Sequence, residues 1–255
     1  MAGGRNTAAE PGGRGSVGTG GGHGEGPWHA VLFDLDGTLL DIDGEGFLDA
    51  YVDALVTWWR PTDAATFRHW IMAASVPIFG RHPESTNGAV FRRHLAGLLG
   101  LPPAEVARRL ERFHRETLPA LPFPARRVAD ARACVERCLA MRLRVAVATT
   151  PIYGPEVIAL RLQWAGLADV PWHLVTHSEV MHACKPHATY FAEAAALLGV
   201  EPSACVMVGD DPLQDGPAAD AGMAVLLRGG GPAEPGWQNL GDVQSAVAAR
   251  RPEAG

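Results

Sequence analysis

Ala30-Val31-Leu32-Phe33-Asp34-Leu35-Asp36-Gly37-Thr38 is the stretch on which the fold turns. Its four leading residues are apolar without interruption, the pattern of a strand covered on both faces in a parallel sheet. The run ends at two carboxylates separated by one residue, so both side chains can reach one pocket at the strand end. Such a pair can supply a nucleophile and a neighbouring acid or base, or can hold a divalent cation. Gly37 permits the sharp backbone turn that must follow.

Working outward, the same pattern recurs. Residues 143–148 form an apolar run that ends at Thr149 and Thr150, and residues 172–175 lead into Thr176 and His177. Residues 204–208 end at Gly209 and Asp210, and residues 224–227 close the series. Amphipathic, helix-length stretches separate these runs, at about 126–141, 154–165, 187–198 and 212–221. Strands alternating with helices imply a parallel sheet in an open α/β fold. Ligands bind such sheets at the carboxyl ends of the strands, where the polar residues just named fall.

One interval breaks the alternation. Between residues 43 and 124 the pattern predicts only helices, near 47–59, 64–78, 88–99 and 104–117. Val106, Leu110 and Phe113 recur at helical spacing in the last of these. The interval reads as an all-helical domain inserted after the first strand, with the α/β core formed by 28–42 and 125–228. Residues 1–27 hold eleven of the thirty glycines. They carry too little apolar surface to offset the entropy of ordering, so they are expected to form a disordered tail. Residues 229–255 are expected to be a second tail, with one short helix near 243–250.

Three further clusters stand at the strand ends. The hydroxyls and backbone N–H groups of Thr149 and Thr150 can bind phosphate oxygens, or can cap a turn before Pro151. Asp210, Asp211 and Asp215 form an oxygen-rich group suited to magnesium, although Asp211 also suits a helix N-terminus. The third cluster surrounds Lys185. The chain holds 22 basic residues, and Lys185 is the only lysine among them. A compact ammonium can sit between phosphate and carboxylates where a planar guanidinium does not fit, which gives this exception a reason.

Composition excludes several classes. The net charge is −6 and no arginine-rich block exists, so a nucleic-acid-binding surface is not expected. No run of about 18 apolar residues is present, so no membrane span is expected either. The N-terminus lacks the apolar middle of a signal peptide, which points to the cytoplasm. Cys134, Cys138, Cys184 and Cys205 lie in apolar or helical stretches and read as buried, reduced thiols.

The four clusters, in this order and at these intervals, resemble the motifs of the haloacid dehalogenase-like hydrolase superfamily over about residues 29–228. The resemblance implies a Rossmann-like core with a helical cap of the first type, and phosphatase chemistry that depends on Mg2+. By the family's pattern, Asp34 is the nucleophile that becomes an aspartyl-phosphate, and Asp36 protonates the leaving group and then activates water. Gly37, Thr38, Thr149, Thr150 and Lys185 would hold the phosphate. Asp34, the backbone carbonyl of Asp36 and Asp210 would hold the metal, with Asp215 supporting the lysine or the metal. Thr150 departs from the pattern, since many relatives carry Asn there. Asp36 argues against the dehalogenases, which lack an acid at that position. Phosphomutases share all four motifs, and a non-catalytic binding or regulatory protein is the alternative of a different class. Arg81, His82, Arg92 and Arg93 are candidates to select a small phosphorylated substrate, and Trp58, Trp59 and Trp70 read as packing within the insert.

Overall fold

The computed structural model describes residues 26–229 and 236–250. Six parallel strands form the central sheet: β1 (Ala30–Phe33), β4 (Arg144–Val147), β5 (Leu174–Val175), β6 (Cys205–Gly209), β7 (Ala224–Arg228) and β8 (Gly236–Trp237). Their order is β5-β4-β1-β6-β7-β8. β1 is therefore central, with β4 on one side and β6 on the other. The carboxyl ends of the three strands lie next to one another at the point where the connections diverge, the usual place for a ligand in this architecture.

Alternate residues of β1 feed two separate cores, which explains why the whole run is apolar. Val31 and Phe33 pack on one face with the helices α5 (Ala131–Ala140), α6 (Pro155–Ala165) and α8 (Leu240–Ala249). Ala30 and Leu32 pack on the other with α7 (Ala188–Leu198), whose Tyr190 and Phe191 are fully buried. All four cysteines are buried and free.

The helical insert consists of α1 (Gly44–Trp59), α2 (Ala64–Ser75), α3 (Asn87–Leu99) and α4 (Pro103–Glu116). The side chains of Asp43 and Asp63 cap the first turns of α1 and α2. The insert has its own core, built on Phe67, Ile71, Leu95, Val106 and Phe113, with Trp58, Trp59 and Trp70 packed against it. Both its ends leave through a two-stranded antiparallel ribbon of β2 (Leu40–Ile42) and β3 (Ala125–Arg127). Neither short strand was expected, and β3 takes the first residues of the helix anticipated at 126–141.

Two further expectations need correction. The stretch 212–221 is not one α-helix: Asp211 bonds the backbone N–H of Leu213 and Gln214, and a 3-10 helix follows at Gly216–Ala221. Residues 236–250 are not a tail. β8 extends the sheet, and Trp237, Leu240, Val243 and Val247 belong to the main core. The buried Trp237 indole N–H donates to the carbonyls of Gly209 and Leu226, which ties this segment to the ends of β6 and β7. The glycine-rich segment 1–25 lies outside the described residues. No helix among the described residues is long and apolar enough to cross a membrane.

Candidate active site

The chain turns sharply at the end of β1. Leu39 and Leu40 both donate backbone N–H to the Leu35 carbonyl, and Gly37 donates to the Leu40 carbonyl at 2.7 Å. Gly37 takes φ +82°, and a Cβ there would run into the Asp210 carboxylate. Only glycine meets both requirements. The turn holds Asp34 at the mouth of the sheet, with 13% of its side chain exposed.

Lys185 lies beneath it. Its ammonium, 1% exposed, donates to Asp34 Oδ1 at 2.7 Å and to Asp215 Oδ1 at 2.6 Å. Burial opposes the charged amine, but the two carboxylates reverse that and hold its pKa above the ordinary lysine value. Burial pushes the Asp34 carboxyl up to about 8, against the downward pull of Lys185. Asp215 is equally buried, and its Oδ2 also accepts from the backbone N–H of Asp210 (3.1 Å) and Asp211 (3.2 Å). It therefore ties the lysine to the β6 end.

Asp34, Asp210 and Asp215 each place a carboxylate oxygen within 4.8 Å of the others, a group able to hold a metal ion. Thr38 is fully buried and donates its hydroxyl to Asp210 Oδ1 at 3.1 Å, so that side chain serves Asp210. Oδ1 of Asp34 is taken by Lys185, which leaves Oδ2 of Asp34 and of Asp210 for a cation. Lys185 pairs with Asp34 and Asp215, Arg161 pairs with Asp36, and Arg228 also acts on Asp210. Carboxylate oxygens grouped in this way are the donors that magnesium takes. Asp36 does not join this group through its side chain.

That side chain turns instead to Arg161, a residue that sequence reasoning missed. Asp36 Oδ2 lies 3.0 Å from Arg161 Nη1, and the arginine is 2% exposed. The guanidinium packs against two edge-to-face rings, Phe47 from the insert at 4.3 Å and Tyr153 from the core at 4.6 Å. Burial raises the Asp36 carboxyl and Arg161 draws it back down. A signal was available: Val157, Ile158, Leu162 and Ala165 form the buried stripe of α6, and position 161 falls on that stripe. A charge there requires a buried partner.

Thr149 and Thr150 follow β4 beside Asp34. Thr149 is buried, and its carbonyl accepts from Thr176 (2.9 Å) and Tyr190 (3.0 Å). Asn87 at the start of α3 is buried as well and donates to the Pro151 carbonyl at 3.1 Å and the Ala183 carbonyl at 3.3 Å. One insert side chain thereby touches the two loops that follow Thr149 and precede Lys185.

Residues 28–222 match the family model described as haloacid dehalogenase-like hydrolase. The chain belongs to this family. No curated protein matches the hydrolase. Among solved structures it is similar to a 2-haloacid dehalogenase from Pseudomonas syringae pv. Tomato DC3000 (TM-score 0.60, 23% identity, 87% of this chain and 99% of that one). A HAD family hydrolase from Deinococcus radiodurans R1, with bound phosphate and sodium, aligns with TM-score 0.51 at 22% identity over 89% and 97% of the two chains. A predicted phosphoglycolate phosphatase from Haemophilus somnus 129pt aligns with TM-score 0.51 at 16% identity over 88% and 100%. At these identities the likeness shows a shared fold.

The hydrolase distributes the other candidate residues unevenly. Of the basic group on the insert, Arg92 lines a cavity facing the core and pairs with Glu179. His82 is held by the carbonyls of Ile78 and Ser85, and Arg93 reaches the Ser85 hydroxyl. Of the histidines around Lys185, His182 pairs with Glu193, and His187 meets the Phe79 carbonyl.

Proposed function

We propose that this hydrolase is a Mg2+-dependent phosphatase that releases phosphate from a small phosphorylated metabolite through an aspartyl-phosphate. Asp36 carries the reading. An acid beside the nucleophile has work only where an oxygen leaving group needs a proton and a water must later lose one. Displacing halide from carbon needs no such proton donor in the first step, which disfavours the dehalogenase alternative.

In the first step an Asp34 carboxylate oxygen bonds to phosphorus while the bond to the substrate oxygen breaks. The departing alcohol takes its proton from Asp36. In the second, Asp36 removes a proton from water, whose oxygen bonds to the same phosphorus and frees the Asp34 carboxylate and phosphate. Lys185 holds Asp34 in place and offsets its charge throughout, with Asp215 holding the lysine. The Thr149 hydroxyl and the N–H groups of Thr149 and Thr150 hold the phosphoryl oxygens, beside the Gly37–Thr38 turn. Asp34, Asp210 and the Asp36 carbonyl would hold Mg2+, with Asp215 behind them. Bound there, the ion neutralises the two anions that must approach each other. The helical insert acts as the cap that closes over the site.

A panel of phosphate monoesters assayed with and without Mg2+ tests this. Metal-dependent release of phosphate, lost by on the order of a thousandfold or more in Asp34→Asn, is the expected result. No turnover of any monoester by the metal-loaded wild type overturns it.

A further inference from the structure

The chemistry at the aspartates says nothing about the group attached to phosphate, but the space beside them does. A cavity of about 430 Å³ lies between the insert and the loops at the carboxyl ends of β4 and β5. Its volume falls in the range of small-molecule sites. On the core side the wall begins at Ile152, two residues after Thr150, and includes Tyr153. The Tyr153 ring lies 4.6 Å from the Arg161 guanidinium that holds Asp36, so the cavity flanks the reacting end.

The insert side of the wall contributes hydrocarbon from Leu48, Ile71, Phe79, Phe91 and Leu110. The ionisable residues of the lining are Arg92, Glu111, His114, Glu156 and Glu179. Arg92 is spoken for: both guanidinium ends donate to the two Glu179 oxygens, the second at 2.9 Å. Burial lowers the His114 pKa, and its Nε2 is bonded to the Tyr51 hydroxyl at 2.8 Å. Glu156 lies 3.4 Å from His114 and Glu111 is exposed, so a carboxylate or second phosphate entering here meets two negative charges and no uncommitted cation among the lining residues. Unfavourable charge at a wall is an effective way of rejecting a ligand class.

We infer that the group esterified to phosphate is an uncharged, largely apolar alcohol, and that phosphate esters whose alcohol part carries a further negative charge, such as phosphoglycolate, are excluded. This rests on the phosphatase reading for its catalytic test, and a binding test stands apart from it.

The catalytic test compares hexyl phosphate, ethyl phosphate and phosphoglycolate, whose leaving alcohols differ little in reactivity. Expected is a kcat/KM at least about tenfold higher for hexyl than for ethyl phosphate, since four added methylenes enter hydrocarbon, with phosphoglycolate lowest. Glu111→Arg, a change at an exposed position, should raise the ratio of phosphoglycolate to ethyl phosphate at least about fivefold. Equal rates for hexyl and ethyl phosphate, or a preference for phosphoglycolate, overturn the inference. The binding test needs no turnover. Calorimetry with naphthalenemethanol and naphthoate, alike in shape and different in charge, should show the neutral compound binding at least about tenfold tighter. Equal or reversed affinities reject the cavity assignment, whereas absent turnover with this preference intact rejects the phosphatase reading alone.

Discussion

Arg161 and Asp36 form a buried ion pair, Nη1 to Oδ2 at 3.0 Å, and the guanidinium packs against an aromatic ring of the insert and one of the core. Asp36 Oδ1 and Arg161 Nε are both buried without a partner among the described residues, so this one contact aims the carboxylate. Arg161 is thus a positioning residue for the proposed acid. Replacing it with Met should lower kcat by about a hundredfold. The loss should be larger for alkyl phosphates than for 4-nitrophenyl phosphate, whose leaving group needs no proton. Arg161→Lys should restore part of it. A purely structural role would slow both substrates alike, and Arg161→Met should add nothing in an Asp36→Asn background.

Lys185 is enclosed by Asp34 and Asp215 at 2.7 and 2.6 Å with 1% exposure. A guanidinium is wider than an ammonium and cannot take the same space without moving the nucleophile. Lys185→Arg should therefore cost about 1–3 kcal/mol in stability through overpacking, and about a hundredfold in kcat. Lys185→Met leaves two buried carboxylates facing each other and should cost about 3–5 kcal/mol. Urea unfolding and turnover of one monoester check both. A Lys185→Arg variant with near-normal kcat refutes the geometric argument for lysine.

The strand ends were legible in the sequence because each buried strand is a short apolar run that stops at a polar residue. That pattern alone places Asp34, Thr149 and Asp210 on one edge of the sheet. Lys185 lies in a loop, and its scarcity identified it. Arg161 stayed hidden for the opposite reason: in a chain with twenty other arginines one more attracts no notice, and its partner is 125 positions away. The cavity residues Tyr51, His114 and Glu156 come from α1, α4 and α6, so no sequence spacing unites them. The C-terminal segment was misjudged because glycine and proline before it read as the end of the core. Its anchors are Trp237, bonded to β6 and β7, and Leu240, Val243 and Val247 in the main core, contacts made with residues distant in sequence.

If Asp34 and Asp210 hold a divalent cation, binding it must stabilise the fold, since the unfolded chain does not assemble the pair. Mg2+ at a hundredfold excess over its Kd should add about 2.7 kcal/mol, which raises Tm by several degrees. Asp210→Asn and Gly37→Ala should abolish the shift. In the second, a Cβ drives into the Asp210 carboxylate at a backbone φ of +82°. Thermal unfolding with Mg2+ and with chelator measures it, and an unchanged Mg2+ shift in Asp210→Asn removes that residue from the metal site.

His114 links the insert to the core and gives stability a pH dependence of definite sign. It bonds Tyr51 on α1 and lies 3.4 Å from Glu156 on α6. Burial lowers its pKa below the ordinary 6.5, although Glu156, Glu111 and Glu179 pull it back up. The folded imidazole therefore stays neutral at a pH where the unfolded one takes a proton. As pH falls below about 6.5 the unfolded state binds more protons than the folded state, so stability declines; above that pH the contribution is constant. His114→Gln should flatten the decline between pH 7 and the folded pKa, while losing about 1 kcal/mol at pH 8 from the Tyr51 hydrogen bond. Urea midpoints at pH 5.5, 7 and 8 for both proteins decide the matter. Parallel slopes would assign the acid sensitivity to another group, and a steeper slope in the variant would reverse the sign deduced from burial.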